Sequence, residues 1–228
     1  MQNGYGESPF NPVAPVVWAV LLPMIAIEVV LALGGMGFGG GDAASGWRSV
    51  AIGNFGFNAA LFKEMMARHE WPIWDVVRIL TYPFVHSGPV EALMAGVFII
   101  ALGKAVTEAF SAGAFLAIFF GSAIGGALIF GLMPGVTGWL TGGFTPAYGL
   151  IGAFTFILWV RLGQQRANPL RAFTLIGGIM VIQLVFAALF GASPTWFANI
   201  AGFVIGFGLS FLVAPGGPQA MLARIRRR

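Results

Sequence analysis

Six runs of mostly apolar residues dominate the chain, near 13–33, 83–102, 112–132, 144–162, 172–191 and 196–213. Each is close to the roughly 20 residues that a helix needs to cross the hydrocarbon core of a bilayer. Glycine interrupts the fourth and the sixth. The pattern predicts an all-α polytopic membrane protein, a bundle of six transmembrane helices. Residues 13–213 form the membrane domain, preceded by a short N-terminal segment (1–12) and followed by a tail (214–228).

The polar breaks differ in character. The first, about 34–77, is too long for a tight turn. It opens with a glycine-rich stretch from Gly34 to Gly41. From Phe55 to Trp74, Leu61, Phe62, Met65 and Met66 alternate with Lys63, Glu64 and Arg68, a pattern that predicts a short amphipathic helix lying in the interface with Trp71 and Trp74 as anchors. Within the spans, Gly121 and Gly125, and again Gly202 and Gly206, recur at four-residue spacing, which lets helix backbones approach closely. No internal repeat and no matched pair of broken helices is visible, which counts against the usual plan of a secondary transporter.

Composition narrows the classes further. Of the 228 residues, 58% are hydrophobic and only 9% charged, against about 25% charged in ordinary soluble domains. There is no cysteine, hence no disulfide framework and no thiolate chemistry. Residues 1–11 hold Glu7 and no Lys or Arg, so the first apolar run reads as a retained span rather than a signal peptide. The formal charge is +4, but no soluble face exists to gather it into a nucleic-acid footprint.

The basic residues set an orientation instead. Lys104, Arg161, Arg166, Arg171, Arg224, Arg226, Arg227 and Arg228 fall on the side of the termini, whereas the loops 133–143 and 192–195 on the other side hold none. Arg48, Lys63, Arg68 and Arg78 lie in the long first loop among Asp42, Glu64, Glu70 and Asp75. By the positive-inside bias both termini are expected to be cytoplasmic, and the arrangement suits a bacterial plasma membrane. The expected partners are the lipid bilayer, with Arg224, Arg226, Arg227 and Arg228 on its anionic leaflet at roughly 1 kcal/mol per basic residue, and no nucleic acid.

Candidate chemistry is sparse. His69 and His86 stand far apart with no paired carboxylate spacing, so no metal-ligand set is recognisable and no cofactor is implied. Asp42 and Asp75 both fall in the first loop, which leaves no pair of intramembrane aspartates. Glu28 and Glu91 are the two carboxylates within the spans, and intramembrane acids invite a functional reading. Ser122, on the third span, reads as back-bonded within its helix.

The run Gly142-Gly143-Phe144-Thr145-Pro146-Ala147-Tyr148-Gly149-Leu150-Ile151-Gly152-Ala153 resembles the fourth transmembrane helix of the rhomboid intramembrane serine proteases, whose pattern is Gly-x-Ser-Gly followed by Gly-Leu-x-Gly-Ala or a close variant. Arg78 to His86 resembles the family's Trp-Arg-Leu-Ile-Thr-x-x-Phe-Leu-His, and Ala198-Asn199-Ile200-Ala201-Gly202 to Gly206 resembles its Ala-His-Leu-Gly-Gly-x-x-x-Gly. The resemblance covers about 140 residues, Arg78 to Val213. In that register Phe144 replaces the nucleophilic serine, Asn199 the catalytic histidine, and Glu91 and Ala95 the His and Asn that serve as side-chain donors near the oxyanion. The likeness therefore implies a pseudoprotease with no catalytic residues, binding or stabilising transmembrane segments of client membrane proteins.

Thr145 is the one rescue candidate for a nucleophile, which would make the chain an active intramembrane serine-type endopeptidase. A Thr before Pro146 reads instead as a helix N-cap. A structural subunit of a membrane complex is a further alternative. Glu91, His86, Asn199, Tyr148 and Glu28 are expected to line one polar cavity, and Gly121, Gly125, Gly149, Gly152, Gly202 and Gly206 to pack the helices.

Overall fold

The computed structural model describes residues 12–37, 46–190 and 193–215. The readings on the N-terminal 1–11 and on the arginines of the tail, Arg224 to Arg228, lie outside the described residues. Five helices are long and apolar enough to cross a membrane: α1 (Pro15–Gly35), α5 (Pro89–Ala109), α6 (Ala112–Leu132), α7 (Phe144–Gln164) and α9 (Thr195–Val213). The expected fifth span is the shorter α8 (Thr174–Phe190), a mostly apolar helix of 17 residues. The first loop folds into α2 (Trp47–Phe55), α3 (Ala59–Arg68) and α4 (Ile73–Thr81).

Local chemistry sets most of these limits. Ser111 caps α6, its Oγ accepting the Ala114 N–H at 3.1 Å. Pro89 opens α5 behind an extended Gly88, which places the start of this helix six residues beyond the expected 83. The reason is Pro83, which belongs to a 3-10 turn, Tyr82–Phe84, and not to the span. The expected interfacial helix from Phe55 to Trp74 also divides. His69 takes a left-handed φ of 56° at the end of α3, and Pro72 then starts α4. Phe62 and Met65 on α3 are buried and face α6 rather than lipid, with Phe62 filling the gap beside Gly131. Trp71 and Trp74 stay exposed.

A two-residue antiparallel bridge joins this loop to the segment before α7, with β1 (Phe57–Asn58) opposite β2 (Trp139–Leu140). Lys63 reinforces it by donating to the carbonyls of Met133 (2.7 Å) and Val136 (2.5 Å). Arg78 binds Asp75 at 2.9 Å and the carbonyl of Gly53.

α7 is the axis of the bundle, buried from Thr145 to Ala153 without interruption. It packs most closely on α9, where glycines remove the side chains that would separate the backbones. A Cβ on Gly152 would collide with the carbonyl of Phe203 and stand 2.7 Å from the Phe207 nitrogen; one on Gly206 would collide with Gly149, and one on Gly202 with Thr145. Gly121 and Gly125 on α6 meet only side-chain tips of α9, Leu209 and Ile205. Since lipid offers no hydrophobic drive between helices, such close van der Waals contact is what holds them.

Candidate functional site

At one end of the bundle, the turn before α5 and the turn before α7 interlock. Gly142 adopts φ +78°, a conformation that suits glycine, and its N–H is shared between the carbonyls of Tyr82 and Val85, both at 2.9 Å. A Cβ there would stand 2.5 Å from Glu91 Oε1 and 3.0 Å from His86 Cδ2. The next residue, Gly143, donates its N–H to His86 Nε2 at 3.2 Å.

An accepting Nε2 leaves the proton of the neutral imidazole on Nδ1. That nitrogen is buried with no hydrogen-bond partner among the described residues. Burial is the main cause that lowers His86 to a pKa of about 4; Glu28 opposes the shift and Arg48 adds to it. His86 is therefore a neutral clamp between two turns. Its ring is already committed to Gly143.

α7 begins two residues earlier than a Thr145 cap requires, because Gly143 is its N-cap and Pro146 falls in the first turn, where a missing N–H costs nothing. Thr145 is 1% exposed, and its hydroxyl donates to Asn199 Oδ1 on α9 at 3.1 Å. Gly126 on α6 makes room for the Thr145 methyl. Tyr82 adds a second hydroxyl beside this pair and donates to the Ala123 carbonyl at 2.9 Å. Burial pushes the Tyr82 phenol above the ordinary tyrosine range, and a hydrogen bond with Thr145 works the other way. Ala95 is fully buried and its methyl points toward Gly143.

Of the five residues expected in one polar cavity, Glu28, His86 and Glu91 come together around Arg48 and Gly142, whereas Asn199 and Tyr148 have other neighbours. Glu28 forms a two-pronged pair with Arg48, Oε1 to Nη2 at 2.6 Å and Oε2 to Nη1 at 3.0 Å, and Arg48 also donates to the His86 carbonyl at 2.7 Å. Glu91 accepts the Ser87 N–H at 2.7 Å. Asn199 is engaged with Thr145 and His86 with Gly143. Tyr148 lines an apolar cavity of about 280 Å³, walled by Met94 and Phe98 of α5, Phe144, Ala147, Tyr148 and Ile151 of α7, and Ile179 and Ile182 of α8. Buried polar groups are costly unless paired: Glu28 is paired with Arg48 of α2, Glu91 with the Ser87 N–H, His86 with the Gly143 N–H and Asn199 with Thr145 of α7. Ser122 departs from expectation as well: its Oγ makes no bond back to its own helix and packs against the bare face of Gly149.

Sequence reading missed Arg48 and Tyr82. Nothing in the spacing joins Arg48 to Glu28, twenty positions away; Tyr82 stood within the Arg78–His86 motif, but as an unassigned position. Among the described residues no three His, Asp or Glu side chains are placed to hold a metal ion.

Among the described residues, the Thr145 hydroxyl is bonded to an amide rather than to a basic group. An amide oxygen has no usable basicity near neutral pH, and nucleophilic hydroxyls need an adjacent base. The Phe144 side chain forms part of the cavity wall. A family model described as a rhomboid domain matches residues 73–216. No curated protein matches the chain.

Proposed function

This chain belongs to the rhomboid family, and from that premise we propose that it is a non-catalytic member that holds transmembrane segments of other membrane proteins. The observation that carries this reading is Phe144. Where the family resemblance places the nucleophile, a benzyl group joins Met94, Phe98, Ile179 and Ile182 in an apolar cavity between α5, α7 and α8. The remaining polar groups are turned inward onto one another. A pocket of that lining offers a transmembrane helix shape and dispersion contact, and nothing in it supports hydrolysis.

In this reading the charge distribution keeps both termini cytoplasmic, so the cavity opens sideways into the outer half of the bilayer. The bound segment is recognised by its side-chain shape along α5 and α8. Its polar residues contribute little, because Glu91, His86 and Asn199 are engaged within the protein.

Position-specific photocrosslinking in intact membranes tests this. Probes replacing Phe98 and Ile182 should form adducts with a discrete set of membrane proteins. A probe at Leu212, which is 67% exposed and away from the cavity, should give only background. Equal adduct patterns at all three positions would sink the idea.

The Thr145–Asn199 hydrogen bond motivates one alternative, a protease with a displaced nucleophile. It requires fluorophosphonate labelling of the purified protein that disappears in Thr145→Ala. We expect no labelling while an active rhomboid beside it labels brightly.

A further inference from the structure

The end of the bundle opposite the Thr145–Asn199 pair carries a different kind of chemistry. α5 and α7 start together at His86 and Gly143 and run side by side, with Phe110 next to Phe156 at 6.2 Å. α7 continues beyond Phe156 to Gln164. There α7 terminates in a turn in which Ala167 N–H returns to the Leu162 carbonyl at 3.0 Å and Arg166 N–H to the Gly163 carbonyl at 3.4 Å. This double closure places the residue after the C-cap in the left-handed region and ordinarily calls for glycine. The chain puts Arg166 there, at φ 56°.

A bulky residue in a conformation that glycine would occupy without strain points to a use for the side chain. Two neighbours share its character. Arg161 in the last turn of α7 and Arg171 in the 3-10 turn Pro169–Phe173 are both exposed, as Arg166 is. None of the three forms an ion pair among the described residues. The sequence supplies no acid nearby in the chain: none follows Glu108. Between Arg166 and Arg171, Leu170 is 71% exposed, while Asn168 fixes the turn by accepting the Leu170 N–H at 3.0 Å.

We propose that Arg161, Arg166 and Arg171 form a binding site for the headgroup of an anionic phospholipid, with Leu170 reaching toward its acyl chains. The site stands where one span has ended and α8 is about to begin, the level at which headgroups lie. Guanidinium groups bind phosphate through paired N–H donors and give up their hydration more readily than an ammonium does. Juxtamembrane basic clusters of this kind are drawn to acidic lipid. The site is distinct in sequence from the basic tail and lies apart from the lateral cavity, and does not depend on whether the protein binds clients.

The test uses the full chain, purified in neutral detergent and transferred to nanodiscs of phosphatidylcholine alone or with one third phosphatidylglycerol. Phosphatidylglycerol should raise the thermal midpoint of the wild type, and half-molar sodium chloride should shrink that rise through screening. Arg166→Gly is the informative variant, because it relieves the strained backbone while removing the charge. Its midpoint in phosphatidylcholine should equal or exceed that of the wild type, and its response to phosphatidylglycerol should fall by at least half. Arg161→Gln, Arg166→Gln and Arg171→Gln together should abolish the response, whereas changing the four tail arginines to Gln should leave most of it. The proposal is overturned if wild type shows no preference for phosphatidylglycerol or if Arg166→Gly responds in full. A response lost only with the tail, or one reproduced by glycerol phosphate in phosphatidylcholine nanodiscs, also overturns it.

Discussion

A neutral imidazole accepting a backbone N–H, as His86 does from Gly143, ties stability to pH in a definite direction. The folded ring titrates at about 4 and the unfolded one near 6.5. As pH falls, the unfolded chain takes up the proton first, so the stability contributed by the buried ring is complete above about 6.5, declines between 6.5 and 4, and is gone below. The full loss is about 3 kcal/mol. Unfolding titrations in mixed micelles at pH 7.5, 5.5 and 4 should show this slope in the wild type, and His86→Gln should lose it. An unchanged slope in the variant would overturn the assignment to His86. At this scale the sequence was informative about identity and poor about contact. The family register placed Phe144 and Asn199 at two positions of the degenerate site, but the hydrogen bond between Thr145 and Asn199 spans 54 positions and depends on where α7 starts. The apolar run put that start at 144, where it lies; the Thr-Pro cap signal alone put it later, and the helix is capped instead at Gly143.

At the scale of elements, span limits were legible wherever apolar pattern and capping chemistry coincide. α6 occupies 112–132 as expected because Ser111 caps it. They were illegible where an apolar run continues through a proline: Pro83, Phe84 and Val85 read as span yet form a turn and a linker. The glycines illustrate a second limit. Four-residue spacing marks helices that approach closely, but not what they approach. The structure distinguishes two cases. Enlarging Gly206 drives a Cβ into the backbone of Gly149, which cannot give way, while a methyl on Gly121 meets the tip of Leu209 at 2.6 Å, which can rotate. We expect Gly206→Leu to prevent recovery of folded protein. Gly121→Ala should cost no more than the lower part of the 1–3 kcal/mol range typical of overpacking. Yield of monodisperse protein and the unfolding midpoint read both outcomes; equal damage from the two would contradict the backbone argument.

For the whole molecule, the membrane class, the family and the order of the spans were all available from hydropathy and motif spacing, because those depend on short-range pattern. How the long first loop folds was not, since its attachments are long-range: Arg48 to Glu28 and the His86 carbonyl, Lys63 to the turn after α6, β1 to β2. Those attachments have a consequence for how the protein could be divided. α1 is bound to the rest by the Glu28–Arg48 pair and by Val17, Val20, Leu21 and Met24 in the common core, not merely by being on the same chain. Expressed as two polypeptides, one ending after α1 and one starting before α2, the protein should reassemble in the membrane and co-purify as a stoichiometric pair. The same split carrying Arg48→Gln should associate less completely. The covalent link between those helices would then be a convenience of synthesis, and α1 a separable subunit of its own protein.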